Sequence, residues 1–101
     1  MNEEEYRNGI IAIAEHYGIN CQSRQLFEEM GELTVAINKW WRCNGNLEKR
    51  SAKRENIIEE IADVQIMLDQ MIYFLCCPKR VKEVKQEKII RQLKRMESEE
   101  K

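Results

Sequence analysis

The chain has 101 residues, enough for one domain, and its 17 Lys and Arg nearly balance 18 Asp and Glu, for a formal net charge of -1. This balance provides no overall field to attract nucleic acid or acidic lipid, and the small size favours subunits that complete their cores by association. The first residues are acidic where a signal peptide would be basic, and the most apolar stretch, residues 66–77, contains Asp69 and Gln70. We therefore expect a cytoplasmic protein without a membrane span.

The cysteines form no recognisable disulfide or zinc pattern. Cys76 and Cys77 are adjacent, whereas Cys21 and Cys43 stand alone, so no CxxC spacing occurs. We interpret all of them as reduced thiols, which agrees with a cytoplasmic location.

Helical periodicity dominates the chain, which has only one proline and four glycines and no useful stretch of period-2 alternation. We predict a single all-α domain over residues 1–101, built as an antiparallel, four-helix, bundle-like subunit of an oligomer. The first helix is expected from about Glu3 to Tyr17 and ends at Gly18 and Asn20. The other helices are predicted at about 22–42, 52–76 and 78–96, the last beginning at the only proline. Residues 97–101 have nothing to bury and are expected to fray.

The second and third helices each carry an apolar seam with alternating spacings of four and three residues. The second seam is Leu26, Met30, Leu33, Ile37 and Trp40, and the third is Ile57, Ile61, Val64, Leu68, Met71 and Leu75. Seams of this period predict two helices that pack side by side, nearly antiparallel. Trp40 is accordingly expected to fill the core and not to stack on a ligand.

Two acidic pairs, Glu29 with Glu32 and Glu60 with Asp63, lie inside these helices at i, i+3 spacing. Residues three apart share a face of a helix, and each pair precedes two seam residues by one position. The four carboxylates are therefore predicted to meet at one rim of the helix interface. Like charges so close repel unless a cation neutralises them, and a divalent ion with oxygen ligands suits them best. The pattern predicts a Mg²⁺ site, with Mn²⁺ as a substitute.

The spacing has a simpler explanation that must be kept open. ExxE arises by chance in a chain that is 35% charged, and Glu97–Glu100 is such a case. The acidic pairs would then be ordinary solvated surface. Gly31 and Ala62, within the pairs, favour the metal site because small residues are expected to let the two backbones approach closely.

Residues 28–33 (EEMGEL) and 56–64 (NIIEEIADV) together resemble the MazG-like branch of the all-α nucleoside triphosphate pyrophosphohydrolases, which carries ExxE followed by ExxD. The resemblance covers nearly the whole chain and extends to a basic segment at 87–92. It implies a homodimer or homotetramer that uses Mg²⁺ to cleave a nucleoside triphosphate between its α and β phosphates. Two alternatives are a phosphoribosyl-ATP pyrophosphohydrolase-like enzyme and a non-catalytic helical dimerisation or adaptor protein.

Four basic residues are candidates for binding the triphosphate. Lys88 and Arg91 lie on one face of the last helix, in the segment that resembles the family, and Lys53 and Arg54 are expected in the loop region that enters the third helix. For each of them an ordinary solvent-exposed position is the alternative.

Overall fold

The computed structural model describes residues 1–100, which form four α-helices and no strand. The helices are α1 (Glu3–Tyr17), α2 (Ile19–Arg42), α3 (Leu47–Phe74) and α4 (Pro78–Glu99). The predicted all-α class is confirmed. Within residues 1–100 no single helix is long and apolar enough to cross a membrane; α3 and α4 would suffice as a pair by length and composition, but they are bent by 119° at their break.

A single residue, Gly18, separates α1 from α2. Its φ of 84° and ψ of 163° lie in a region that is essentially restricted to glycine. Its N–H donates a hydrogen bond of 2.8 Å to the carbonyl oxygen of Ala14, which ends α1 where the sequence predicts. Because one residue is enough to redirect the chain, α2 begins at Ile19 and not near residue 22.

The third helix begins at Leu47, five residues before its predicted start, because Asn46 caps it. The Asn46 side chain accepts a hydrogen bond of 3.0 Å from the backbone N–H of Lys49. Lys53 and Arg54 therefore lie within the helix and not in a loop.

The helix α3 ends at Phe74, and the break before α4 contains Cys76 with a φ of 52°. Pro78 occupies the first turn of α4, as predicted. The last helix continues to Glu99, so residues 97–99 of the tail that was expected to fray are helical. Lys101 lies outside the described residues.

The main packing interface joins α2 to α3, with α1 against both. Contacts between Gln22 and Gln70 and between Arg50 and Trp40 show that α2 and α3 run in opposite directions. The side chain of Gln22 donates a hydrogen bond of 2.8 Å to that of Gln70, and both residues are buried. Ala36 is buried on the same side of α2.

The packed faces keep alternate residues of each predicted seam, such as Leu33 and Val64, and replace the others by the residue one position earlier. Met30, Ile61 and Leu68, all expected in the core, are 48%, 41% and 43% exposed. The residues that take these places on the contact faces are Glu29, Ala36, Glu60 and Met67. Apolar periodicity does not predict this, because two of the four residues are charged. The prediction about Gly31 is also wrong, since a Cβ atom there would meet nothing within 4 Å in the described residues.

The chain is more open than a compact domain of its size. Its radius of gyration is 17.4 Å, whereas about 13 Å is typical of 100 residues. Among residues 1–100, α4 contacts only α3, and its apolar residues Ile89, Ile90 and Leu93 are more than half exposed. Close helix packing is thus confined to α1, α2 and α3.

Candidate metal centre

Three carboxylates from two helices converge at the interface between α2 and α3. Glu29 of α2 and Glu60 and Asp63 of α3 each offer one oxygen, and these oxygens lie within 4.8 Å of one another. Glu29 and Glu60 are half-buried, and Asp63 is exposed. Their burial follows from the packing of α2 on α3, which places Glu29 and Glu60 on the contact faces and not beside them.

Two carboxylate oxygens in this cluster are buried and accept no hydrogen bond from the described part of the chain. The Oε2 atoms of Glu29 and Glu60 are inaccessible to solvent and have no hydrogen-bond partner within residues 1–100. The other oxygen of Glu29 accepts a hydrogen bond of 3.0 Å from Nε2 of Gln25. A buried carboxylate oxygen without a partner is unfavourable, and a bound cation would offset that cost.

The fourth predicted residue, Glu32, is exposed but is electrostatically coupled to the cluster. Repulsion from the Glu29 carboxylate, and then from that of Glu60, raises the pKa of Glu32 above its usual value. Glu32 also lines an open cleft between α2 and α3, as does Glu60 of the cluster. The structure therefore brings together Glu29, Glu60 and Asp63 and places Glu32 beside them.

The donor set fits a small divalent cation. Octahedral Mg²⁺ binds oxygen at about 2.1 Å, so its ligand oxygens lie about 3–4.2 Å apart. The three oxygens all lie within 4.8 Å of one another, which is compatible with this range. Carboxylates are the ligands that Mg²⁺ and Mn²⁺ prefer.

An open cleft of about 640 Å³ adjoins the cluster between α2 and α3. Its lining combines acidic, basic, amide and small apolar residues: Glu28, Gly31, Glu32, Val35, Ala36, Lys39, Asn56 and Glu60. Lys39 and Asn56 were not singled out from the sequence. Their signal was present, because Lys39 is seven residues after Glu32 and Asn56 is four before Glu60, spacings that keep each pair on one helix face.

The four basic residues chosen from the sequence do not line this cleft. Lys88 and Arg91 are exposed on α4, which among residues 1–100 reaches only α3. Arg54 is exposed and forms an ion pair of 3.5 Å with Glu55, and Lys53 is half-buried on α3.

Trp40 is half-buried, and the guanidinium of Arg50 lies 4.0 Å from the centre of its ring. One face of this indole is therefore already covered by a cation, which suits a structural role. Trp41 is 65% exposed.

No protein-family model, curated protein or solved structure matches this chain.

Proposed function

We propose that this chain is a Mg²⁺-dependent nucleoside triphosphate pyrophosphohydrolase of the MazG-like type, cleaving between the α and β phosphates to give a monophosphate and pyrophosphate. The observation that carries the proposal is the convergence of Glu29, Glu60 and Asp63 around two buried, unpaired carboxylate oxygens beside an open cleft. Solvent does not reach these two oxygens, so a bound cation would stabilise the carboxylates more than water does.

The residues have separable tasks in this proposal. Glu29, Glu60 and Asp63 hold the ion from two sides of the helix interface. When bound, Mg²⁺ neutralises phosphate oxygens and lowers the pKa of a water ligand. Glu32 lines the cleft beside these ligands, a position from which its carboxylate accepts a proton from the attacking water.

We also propose that the active form is a homodimer or homotetramer. The support is the apolar surface that the single chain leaves uncovered on α2, α3 and α4, including Met30, Ile61, Leu68 and Ile90. The four free cysteines agree with a reducing compartment such as the cytoplasm.

The decisive experiment combines a screen of nucleoside triphosphates, with detection of pyrophosphate, and the variant Glu60→Gln. We expect release of pyrophosphate only with Mg²⁺ or Mn²⁺, and a loss of at least about 100-fold in Glu60→Gln because an ion ligand is weakened. Mg²⁺ should raise the melting temperature of the wild type and not that of the variant, since an ion that binds only the folded state stabilises it.

Glu97→Gln is the matched control, because Glu97 is exposed on α4 and outside the cluster. It should leave both activity and the Mg²⁺ effect unchanged. Full activity in Glu60→Gln with an intact circular dichroism spectrum would defeat the proposal. A wild type that is indifferent to both ions and releases no pyrophosphate would favour the non-catalytic adaptor instead.

A further inference from the structure

The cleft beside the acidic cluster has two chemically different ends. Along α2, Lys39 lies seven residues beyond Glu32, which is about 10 Å at a rise of about 1.5 Å per residue. On α3, Asn56 lies one helical turn from Glu60. Because α2 and α3 are antiparallel, Lys39 and Asn56 share the end away from the cluster. The cleft therefore runs from carboxylates to an ammonium and an amide.

The ammonium of Lys39 is available to an anion. It makes no ion pair with any carboxylate of residues 1–100, although the cleft is rich in acidic groups. A lysine binds phosphate as a compact point charge with three N–H donors, and the Asn56 side chain adds a neutral N–H donor. Cation and amide together match a phosphate group that carries negative charge and several acceptor oxygens.

Gly31 has no side chain where it lines the cleft and so leaves room for a chain of phosphates. Gly31 lines the cleft in the middle of α2, where glycine disfavours the helix. A Cβ atom at this position would meet no protein atom within 4 Å in the part of the chain that is described. No packing contact between the helices accounts for this glycine, and its missing side chain widens the cleft beside the acidic cluster.

We propose that Lys39, assisted by Asn56, binds the phosphate groups of the substrate that the metal does not hold, so that the polyphosphate extends along the cleft from the carboxylates to Lys39. This inference rests on the proposed function and adds to it the residue that selects a triphosphate over a monophosphate. Lys39 takes the task that the sequence pattern assigned to Lys88 and Arg91.

Inorganic triphosphate with Mg²⁺ is the probe that tests this inference, because it carries no nucleobase. Calorimetric titration should show Mg²⁺-dependent binding to the wild type and binding weaker by about tenfold or more in Lys39→Ala, since a charge-assisted contact is lost. Lys39→Arg should retain affinity within about threefold because the charge remains. The control Lys82→Ala removes an exposed lysine of α4 and should match the wild type.

The rise in melting temperature with Mg²⁺ alone should be the same in Lys39→Ala as in the wild type. Equal triphosphate affinity in Lys39→Ala and the wild type overturns the role of Lys39, and so does a wild type that does not bind inorganic triphosphate. In either case, pyrophosphate release that depends on Mg²⁺ and Glu60 would leave the proposed function standing, so the two failures are distinguishable.

Discussion

Two tyrosines attach α1 to α3 through carboxylates. The hydroxyl of Tyr6 donates a hydrogen bond of 2.5 Å to Oδ2 of Asp69, and the hydroxyl of Tyr73 donates one to Glu15. The bond to Asp69, together with partial burial, raises the pKa of Tyr6 to about 12. The hydrogen bond to Glu15 likewise raises the pKa of Tyr73, so both phenols keep the proton that they donate at physiological pH.

Tyr6→Phe should lower the free energy of unfolding by about 0.5–1.5 kcal/mol at neutral pH, because it removes one hydrogen bond between helices. The pKa of Tyr6 is higher in the folded protein than in the unfolded one, so the neutral phenol stabilises the fold. This contribution is complete below pH 10, the pKa of an unperturbed tyrosine, and is lost as the pH rises through about 12. Urea unfolding at a series of pH values measures it.

The control is Tyr17→Phe, on the same helix. Tyr17 is 58% exposed, and its hydroxyl makes no hydrogen bond within residues 1–100. It should have little effect at any pH. A Tyr6→Phe variant whose stability differs from the wild type by the same amount at pH 7 and near pH 12 would contradict the assignment.

The sequence predicts the number and type of secondary-structure elements more accurately than the residues at which each helix begins and ends. The end of α1 and the start of α4 follow from Gly18 and Pro78, whose backbone chemistry is local. The observed starts of α2 and α3 lie earlier than predicted, because Gly18 alone is enough to redirect the chain and Asn46 caps α3 through the backbone N–H of Lys49. Both signals are local and are present in the sequence.

For the acidic cluster, too, helical spacing predicts some features and the packing of the helices determines the others. The i, i+3 spacing selects Glu29, Glu32, Glu60 and Asp63, since helical spacing determines which side chains share a face, and the structure brings all but Glu32 together. The spacing did not reveal that Glu29 and Glu60 lie on the contact faces, or that Lys39 and not Lys88 lines the cleft. Those facts depend on the rotation of α2 against α3, which the apolar pattern alone does not determine.

Gly18→Ala should destabilise the protein by about 1–3 kcal/mol, because alanine is strained at the backbone angles of this residue. Gly9→Ala is the matched control, and for it we expect an increase in the free energy of unfolding. Gly9 lies in the middle of α1, and a Cβ atom there would meet nothing within 4 Å in residues 1–100, so alanine should stabilise by about 0.5–1 kcal/mol. Chemical unfolding of both variants measures the difference, and destabilisation of equal size at the two positions would contradict it.

The whole molecule is open and leaves much apolar surface uncovered. Its extents are 44, 39 and 28 Å, and α4 extends away from the other helices with an uncovered apolar stripe. A second apolar surface lies in the angle between α3 and α4, where Leu68, Leu75 and Val81 line a groove. Surfaces of this kind on a small protein are usual at subunit interfaces.

We therefore expect the wild type to sediment at a multiple of its 12.1 kDa chain mass. Leu68→Lys should weaken association by about tenfold or more, because a buried leucine contributes about 1.5–3 kcal/mol and a buried unpaired lysine opposes association. Analytical ultracentrifugation over a range of concentrations measures this. Leu47→Lys, at a position 81% exposed at the start of α3, should leave the mass unchanged. A wild type that remains monomeric at micromolar concentration would contradict the proposed assembly.

The buried hydrogen bond between Gln22 and Gln70 limits how far α2 can slide along α3. Apolar side chains accept many offsets between two helices, but a one-turn slip of about 5.4 Å would leave both amides buried without partners. The same slip would carry Glu29 away from Glu60. The amide pair thus fixes the axial register that holds the two glutamates opposite each other, and sliding α2 along α3 would break up the acidic cluster as well as leave two buried amides unpaired.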